Sequence, residues 1–191
     1  MKKTLLATAL VLSATLLAPA QAADYKVDTE GQHAFIQFKI QHLGYSWLLG
    51  EFTQFSGNFS YDEANPEAAK VMMTIDTGSI DSNHAERDKH LRSDDFLYVE
   101  KYPQAKFVST AYMPNGDGTG TLKGDLTLRG VTKSISIDVN EVGAGPDPWG
   151  GYRRGFEGTT TLTLADYGID YNLGPAAKTV DMYLSIEGVR Q

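Results

Sequence analysis

Residues 33–44, HAFIQFKIQHLG, indicate the fold class because apolar and polar side chains alternate along them. In an extended chain, one face of this segment carries Ile36, Phe38 and Ile40, with His42 at its end. The other face carries two glutamines and a lysine between them. This period of two is typical of a β-strand with one buried and one solvated face.

Residues 1–22 have the composition of a secretory signal peptide. Lys2 and Lys3 precede a short apolar run at 5–17, and Ala20-Gln21-Ala22 fits an A-x-A cleavage site. A membrane anchor is the alternative, but a spanning helix needs about 20 apolar residues and this run is shorter. We therefore predict cleavage after Ala22, export, and a single mature domain at 23–191.

Charge and cysteine content exclude several classes of function. Without Lys2 and Lys3 the 17 basic residues fall to 15 against 24 acidic ones, a net charge of −9. An acidic chain without a basic stripe does not favour nucleic-acid binding. The chain has no cysteine, so disulfides and thiolate chemistry are excluded.

Seven further segments repeat the alternating pattern, which predicts an all-β domain with one short helical insert. Thr53 and Gln54 interrupt the phase of the second segment, which predicts a bulge or a sharp bend there. Arg129-Gly130 predicts a tight hairpin turn. An eight-stranded antiparallel barrel leaves no free edges and is favoured, although a two-sheet sandwich fits the same pattern. The predicted strands are 33–42, 47–59, 70–80, 105–113, 120–129, 131–142, 152–164 and 178–189.

The stretch 81–103 does not alternate and is rich in charge. Asn83 followed by Glu86 predicts the start of a helix. One interpretation is a metal or acid–base site built from His84, Asp88 and His90, with His42 as a further candidate. The favoured interpretation is a short solvated helix that covers one barrel end, since the two histidines are six apart and do not share a helical face.

Other parts of the sequence leave alternatives. The chain has no G-x-S-x-G elbow, P-loop or dinucleotide-binding glycine motif. Five aromatic residues of the loops and strand ends could line a pocket mouth or plug a barrel end. They are Trp149, Tyr152, Phe156, Tyr167 and Tyr171.

Five motifs resemble the YceI-like family of periplasmic polyisoprenoid-binding proteins. They are HLG at 42–44, RDKHLRSDDF at 87–96, KYPQAKF at 101–107, GDLTLRGVTK at 124–133 and DPWGGYRRGFEG at 147–158. The resemblance implies a lipocalin-like, eight-stranded antiparallel β-barrel that is periplasmic and non-catalytic. Such a barrel would hold a polyisoprenoid or isoprenoid quinone in its lumen, with no catalytic cofactor. It also implies a link to stress responses. Transient membrane contact and a homodimer are both compatible with it.

The strand phases give the residues expected to line such a lumen. His42 could hydrogen-bond a ligand head group, or it could bond to the loop at 83–96, which is the favoured reading. A filled barrel that binds a protein partner is a further alternative. The expected ligand-binding residues are Ile36, Phe38, Ile40, His42, Leu48, Phe52, Val71, Met73, Ile75, Phe107, Leu126, Ile135, Ile137, Phe156, Leu162, Met182 and Leu184.

Overall fold

Eleven β-strands, one α-helix and four short 3-10 helices make up the computed structural model, which describes residues 22–191. The predicted signal peptide lies outside these residues except for Ala22. The helix, α1, spans Ala85–Arg92. The 3-10 helices are Pro66–Ala68, Thr77–Ser79, Leu164–Tyr167 and Pro175–Ala177. The strands are β1 Ala23–Val27, β2 Phe35–His42, β3 Ser46–Phe52, β4 Phe55–Tyr61, β5 Lys70–Asp76, β6 Ile80–Asp81, β7 Gln104–Pro114, β8 Thr119–Leu128, β9 Val131–Pro146, β10 Tyr152–Thr163 and β11 Thr179–Arg190.

The strands close into an antiparallel barrel with eight strand positions, as predicted. Pairing runs through β1, β4, β5, β7, β8, β9, β10 and β11, and β1 pairs back with β11 to complete the ring. The other three strands, β2, β3 and β6, extend the barrel wall towards one end of the barrel. Thus β2 follows β1 along β11, β3 pairs with β2, and β6 pairs with β3.

Local chain signals explain the breaks and turns. Thr53 and Gln54 separate β3 from β4, which confirms the predicted irregularity in this position. Arg129 and Gly130 have φ values of 49° and 76°, and Leu128 pairs directly with Val131. Two successive positive φ values define the tight hairpin predicted from the sequence.

One end of the barrel is filled by aromatic side chains and is called the closed end. Tyr25 and Phe59 stack with their ring centroids 4.8 Å apart, and Phe156 meets Phe59 edge-on at 5.7 Å. Arg154 is only 3% exposed and lies over the Tyr61 ring, where it pairs with the carboxylates of Glu63 and Glu141. Burial of such an arginine requires partners of this kind.

The opposite end is bordered by α1 and the segment that follows β10. Arg92 of the helix donates from Nε to the Gly78 carbonyl and from Nη2 to the Ile80 carbonyl, both at 2.7 Å. Arg129 donates to the carbonyls of Asp94 and Gly168 and so joins the two segments. The helix therefore holds a fixed position at this end of the barrel.

The helix begins one residue later than the sequence indicates. His84 is the N-cap, and its Nδ1 accepts a hydrogen bond from the Arg87 backbone N–H at 3.2 Å. Asn83 has a φ of 61°, a left-handed conformation that belongs to the turn before the helix. The prediction of Asn83 as the cap was wrong because Asn favours this conformation as readily as the cap position.

Candidate functional site

An apolar cavity of about 570 Å³ occupies the barrel between its centre and the α1 end. The aromatic residues of the closed end do not contribute to its wall. Its lining includes residues exposed at the opposite end, such as Leu43 and Tyr171, so the cavity opens there. This opening is called the mouth.

Most of the lumen wall comes from the inward side chains of the barrel strands. Fifteen of the seventeen predicted positions line the cavity. They are Ile36, Phe38, Ile40, His42, Leu48, Phe52, Met73, Ile75, Phe107, Leu126, Ile135, Ile137, Leu162, Met182 and Leu184.

The other two predicted positions, Val71 and Phe156, do not line the cavity and correct the expectation. Val71 packs against the closed-end core. The centroid of the Phe156 ring lies 5.6 Å from that of Tyr61 and 5.7 Å from that of Phe59. Strand phase identifies the inward face but not the height of a residue along the barrel axis. Both side chains point inward below the floor of the cavity.

Polar lining groups are concentrated at the mouth. Gln41, His42, Arg87, His90 and Asn172 are there, at the end of β2, on α1 and in the segment after β10. They lie on a rim of an otherwise apolar cavity, an arrangement typical of sites that take a ligand with an apolar body and a polar end.

His90 has the best-defined surroundings of these mouth residues. Its Nε2 lies 2.8 Å from Asp95 Oδ2, and its ring lies edge-on to Phe96 and Tyr171 at centroid distances of 4.9 and 5.0 Å. Arg87 is held by Ser82, because its Nε donates to the hydroxyl at 2.7 Å and its Nη2 to the carbonyl at 2.5 Å. Both groups are therefore fixed before any ligand arrives.

His42 differs from the favoured expectation of a bond to the loop at 83–96. Its side chain is exposed at the mouth, and no hydrogen bond joins it to that loop in the part of the chain that the structure describes. Since it lines the cavity without a fixed protein partner, it is available to a molecule bound there.

The histidines and carboxylate of the insert do not assemble into one centre. His84 caps the helix, and His90 pairs with Asp95. Asp88 is buried, and its carboxylate accepts hydrogen bonds from the Ser82 backbone N–H at 2.9 Å and from the Ser82 hydroxyl. Burial by itself raises the pKa of Asp88, but these hydrogen bonds and the nearby Arg92 charge outweigh it, so that the pKa is lowered. Each group has a separate structural contact.

Among residues 22–191, one set of three side chains has metal-ligand spacing: Asp28, His33 and Glu187, outside the barrel near the closed end. Arg153 Nη1 already lies 2.5 Å from Asp28 and also pairs with Glu187. The pairing and hydrogen bond with Arg153, followed by a bond from Gly31, lower the pKa of Asp28 from 3.8 to about 2. A guanidinium thus holds the place that a cation would need.

Several lumen residues come from segments without a strand pattern. Leu91, Phe96 and Leu97 reach the cavity from the charged insert, and Ile169 and Leu173 reach it from the segment after β10. The apolar residues between the charges at 87–97 were the available signal in the insert. The predicted aromatic set does not form one cluster, because Tyr171 lies at the mouth and Phe156 lies at the closed end.

Residues 25–188 match the YceI-like domain. The chain belongs to the YceI-like family. The UPF0312 protein of Ectopseudomonas mendocina is 58% identical over 191 residues, covering 100% of both chains. The predicted membership of the YceI-like family is therefore confirmed.

Solved structures agree with the fold. Burkholderia cenocepacia BcnA aligns with a TM-score of 0.75 and 22% identity over 84% of this chain and 98% of that one. A polyisoprenoid binding domain from Saccharophagus degradans aligns with a TM-score of 0.63 and 16% identity, covering 87% of this chain and 98% of that one. Among the helices at 22–191, none has the length and apolar character needed to cross a membrane.

Proposed function

We propose that this protein binds and carries a long-chain polyisoprenoid or isoprenoid quinone in the lumen, with the chain inside and the polar end at the mouth. The observation that carries the proposal is the apolar cavity with a polar rim at its mouth. The Saccharophagus degradans domain of similar fold, which is described as polyisoprenoid binding, supports the choice of ligand.

The cavity size sets the length of chain that is held. If each carbon with its hydrogens takes about the ~30 Å³ that a water occupies in the liquid, a five-carbon isoprene unit needs about 150 Å³. A volume of 570 Å³ then holds about four units. A longer chain would leave its remaining units at the mouth, outside the lumen.

The apolar contact is sufficient to bind such a chain without covalent chemistry. Burial of about 20 carbon atoms contributes roughly 16 kcal/mol at ~0.8 kcal/mol per methylene-sized group. Loss of rigid-body freedom and ordering of the chain oppose this by at least several kcal/mol. A total cost of about 8 kcal/mol would leave about 8 kcal/mol, which corresponds to micromolar binding and suits a carrier that must also release its ligand.

Mouth residues are suited to the polar end of the ligand. His42 and Asn172 lie on the rim, and their side chains carry N–H groups of the types that donate hydrogen bonds to carbonyl oxygen atoms. A quinone ring presents two such oxygens. This arrangement orients the ligand with its chain inward and requires no acid–base step.

The predicted signal peptide supports a periplasmic location, and the family resemblance supports a link to stress. The location is tested by cell fractionation with sequencing of the mature N-terminus, which should begin at Ala23. A chain retained in the cytoplasm with Met1 intact would contradict it. A deletion strain compared under several envelope stresses tests the second point, with impaired growth expected in at least one.

Ligand binding is tested by mass spectrometry of a solvent extract from protein purified from its native organism. We expect one apolar, isoprenoid-containing molecule per chain at near-equal stoichiometry, absent from extracts of a cysteine-free secreted control purified in parallel. Protein that is folded and full-length but yields no such molecule, and that takes up none when offered it, would contradict the proposal.

A further inference from the structure

Exposed apolar side chains are concentrated on the hairpin that borders the mouth. Within seven residues at the turn between β2 and β3, Leu43 is 55% exposed, Tyr45 87%, Trp47 52% and Leu49 67%. Leu48, between the last two, points into the lumen. The outer surface of this hairpin therefore offers large apolar groups to whatever lies in front of the mouth.

The same hairpin is free of charge in an acidic chain. Residues 40–50 contain no Asp, Glu, Lys or Arg, and this is the longest such run in 23–191. A second uncharged run, 171–177, lies across the mouth, where Leu43 is beside Gly174 and Ala176 is beside Gly44. Together these two runs form one uncharged patch, called the mouth surface.

Basic residues flank the mouth surface. Lys39 precedes the first run and Lys178 follows the second, and both are exposed. The Lys39 ammonium lies 4.7 Å from the centroid of the Trp47 ring. Apolar and aromatic groups with lysines at their border match the composition that proteins present to the interface between lipid tails and head groups.

Backbone pairing limits how deep the hairpin could enter a bilayer. On its outer side β3 pairs with β6 only at Glu51 and Phe52, so the edge at 46–50 has no strand partner within residues 22–191. Free backbone N–H and C=O groups need water and are not tolerated in the hydrocarbon core. The hairpin therefore suits the hydrated interface, the level at which Trp and Tyr are enriched.

We infer that the mouth surface docks on the interfacial layer of a phospholipid bilayer, with Leu43, Tyr45 and Leu49 inserted among the head groups and the lumen open towards the lipid. This inference rests on the proposed function, since a carrier of a membrane lipid needs its mouth at the membrane. The acidic remainder of the chain disfavours any other face, because anionic surfaces repel it.

A second copy of this chain is the main competing occupant. Two hairpins could pair through their free β3 edges, but this would place the partner barrel against the opening through which the ligand must pass. Since the mouth surface is continuous with the lumen wall at Leu43, the bilayer is the occupant that leaves a path for the ligand.

The two tryptophans of the chain provide matched reporters. Trp47 lies on the mouth surface, and Trp149 lies in the β9–β10 turn at the closed end, where it is 76% exposed. The experiment adds phosphatidylcholine vesicles, with and without bromine on the lipid tails, to Trp149→Phe and to Trp47→Phe. We expect a blue shift and bromine quenching only in Trp149→Phe, which keeps Trp47.

Vesicle flotation then measures the energetic role of the patch. Tyr45→Ser combined with Leu49→Ser removes two exposed side chains that do not line the cavity, and we expect vesicle partitioning to fall at least about tenfold. The control combines Val142→Ser with Met72→Ser, which are 68% and 52% exposed away from the mouth, and should bind as the unmodified chain does. Raising the salt concentration should change the partitioning less than about twofold, because few charges take part.

Each other outcome overturns the docking inference. Quenching of Trp149 or equal loss in the control pair would place the contact elsewhere. Binding that requires anionic phosphatidylglycerol would show that charge, and not insertion of the apolar side chains, drives it. A dimer that Tyr45→Ser with Leu49→Ser converts to monomer, without vesicle binding, would assign the surface to a second copy. Uptake of a short-chain isoprenoid quinone from solution is measured in parallel, and normal uptake without vesicle binding would leave the proposed function intact.

Discussion

Partly filling the lumen should weaken ligand binding while the protein stays folded. Ile135 lines the cavity from β9, opposite Gly124 of β8, and Ile135→Trp adds a large ring in its central part. The ring brings about six more non-hydrogen atoms, close to the space of one isoprene unit. The variant should therefore hold about one unit less of the chain.

The expected loss follows from the five carbon atoms that are displaced. At ~0.8 kcal/mol each, the gross loss is about 4 kcal/mol, and relaxation of the ligand reduces it to about 2–4 kcal/mol. This corresponds to a rise in Kd of roughly 30- to 1000-fold. Stability should change little or increase, because the ring fills space that is empty without ligand.

Ser136→Trp is the matched control. Ser136 is the next residue on the same strand, and its side chain points outward and is exposed. Fluorescence titration with an isoprenoid quinone of four units gives the Kd of both variants, and thermal unfolding shows whether each is folded. If folded Ile135→Trp binds as tightly as Ser136→Trp, the ligand does not occupy the lumen and the reasoning fails.

Three further predictions concern the ligand, the closed end and acid stability. The affinity for isoprenoid quinones should rise with chain length up to about four units and then level off, as the lumen volume requires. Calorimetry of quinones of increasing chain length measures this. An affinity that kept rising equally through eight units would refute it. Phe156→Ala should lower the free energy of unfolding by about 3 kcal/mol and leave the Kd within about twofold, because Phe156 packs below the lumen floor. Urea unfolding measures the first quantity and ligand titration the second. Loss of binding in a folded variant would show that the ligand reaches the closed end. The lowered pKa of Asp28 means that its ionised form stabilises the fold above pH 3.8, a contribution lost as the pH falls towards about 2. Asp28→Asn should then cost on the order of 1 kcal/mol at pH 7, allowing for solvent screening. The difference from the unmodified chain should shrink as the pH falls and be lost only below about pH 2. A constant difference across this range in unfolding experiments would show that the ion pair with Arg153 is not its source.

The strand pattern predicted the barrel because alternation is a local property that survives folding. Ile36, Phe38 and Ile40 face the interior as their spacing requires, and the Arg129-Gly130 turn has the conformation that a tight hairpin needs. The closure of eight positions followed from the need to leave few strand edges free. The alternation and the turn depend on near neighbours in the chain.

The height of a residue along the barrel is a long-range property and was not predictable. Val71 shares the inward phase of Met73, yet only Met73 reaches the cavity. The floor depends on how the aromatic rings of three strands stack, which no single strand encodes. Strand phase alone therefore overestimated the extent of the lumen at this end.

At the mouth, the strand pattern missed residues that do line the lumen. Leu91 and Phe96 lie among charged residues, and Leu173 lies in a segment without periodicity, so a period-based reading assigns them to the surface. They reach the lumen because Arg92 and Arg129 bind backbone carbonyls of neighbouring segments and fix the insert over the barrel end. Such contacts across distant parts of the chain have no local signature.

Photocrosslinking with an isoprenoid quinone that carries a diazirine on its chain tests the central claim most directly. After irradiation, peptide mass spectrometry should place the adducts on inward lumen residues such as Phe107, Leu126 and Ile135, in competition with unlabelled quinone. Adducts confined to outward residues such as Val108, Asp125 and Ser136, or adducts that unlabelled quinone does not reduce, would contradict a lumen-bound chain.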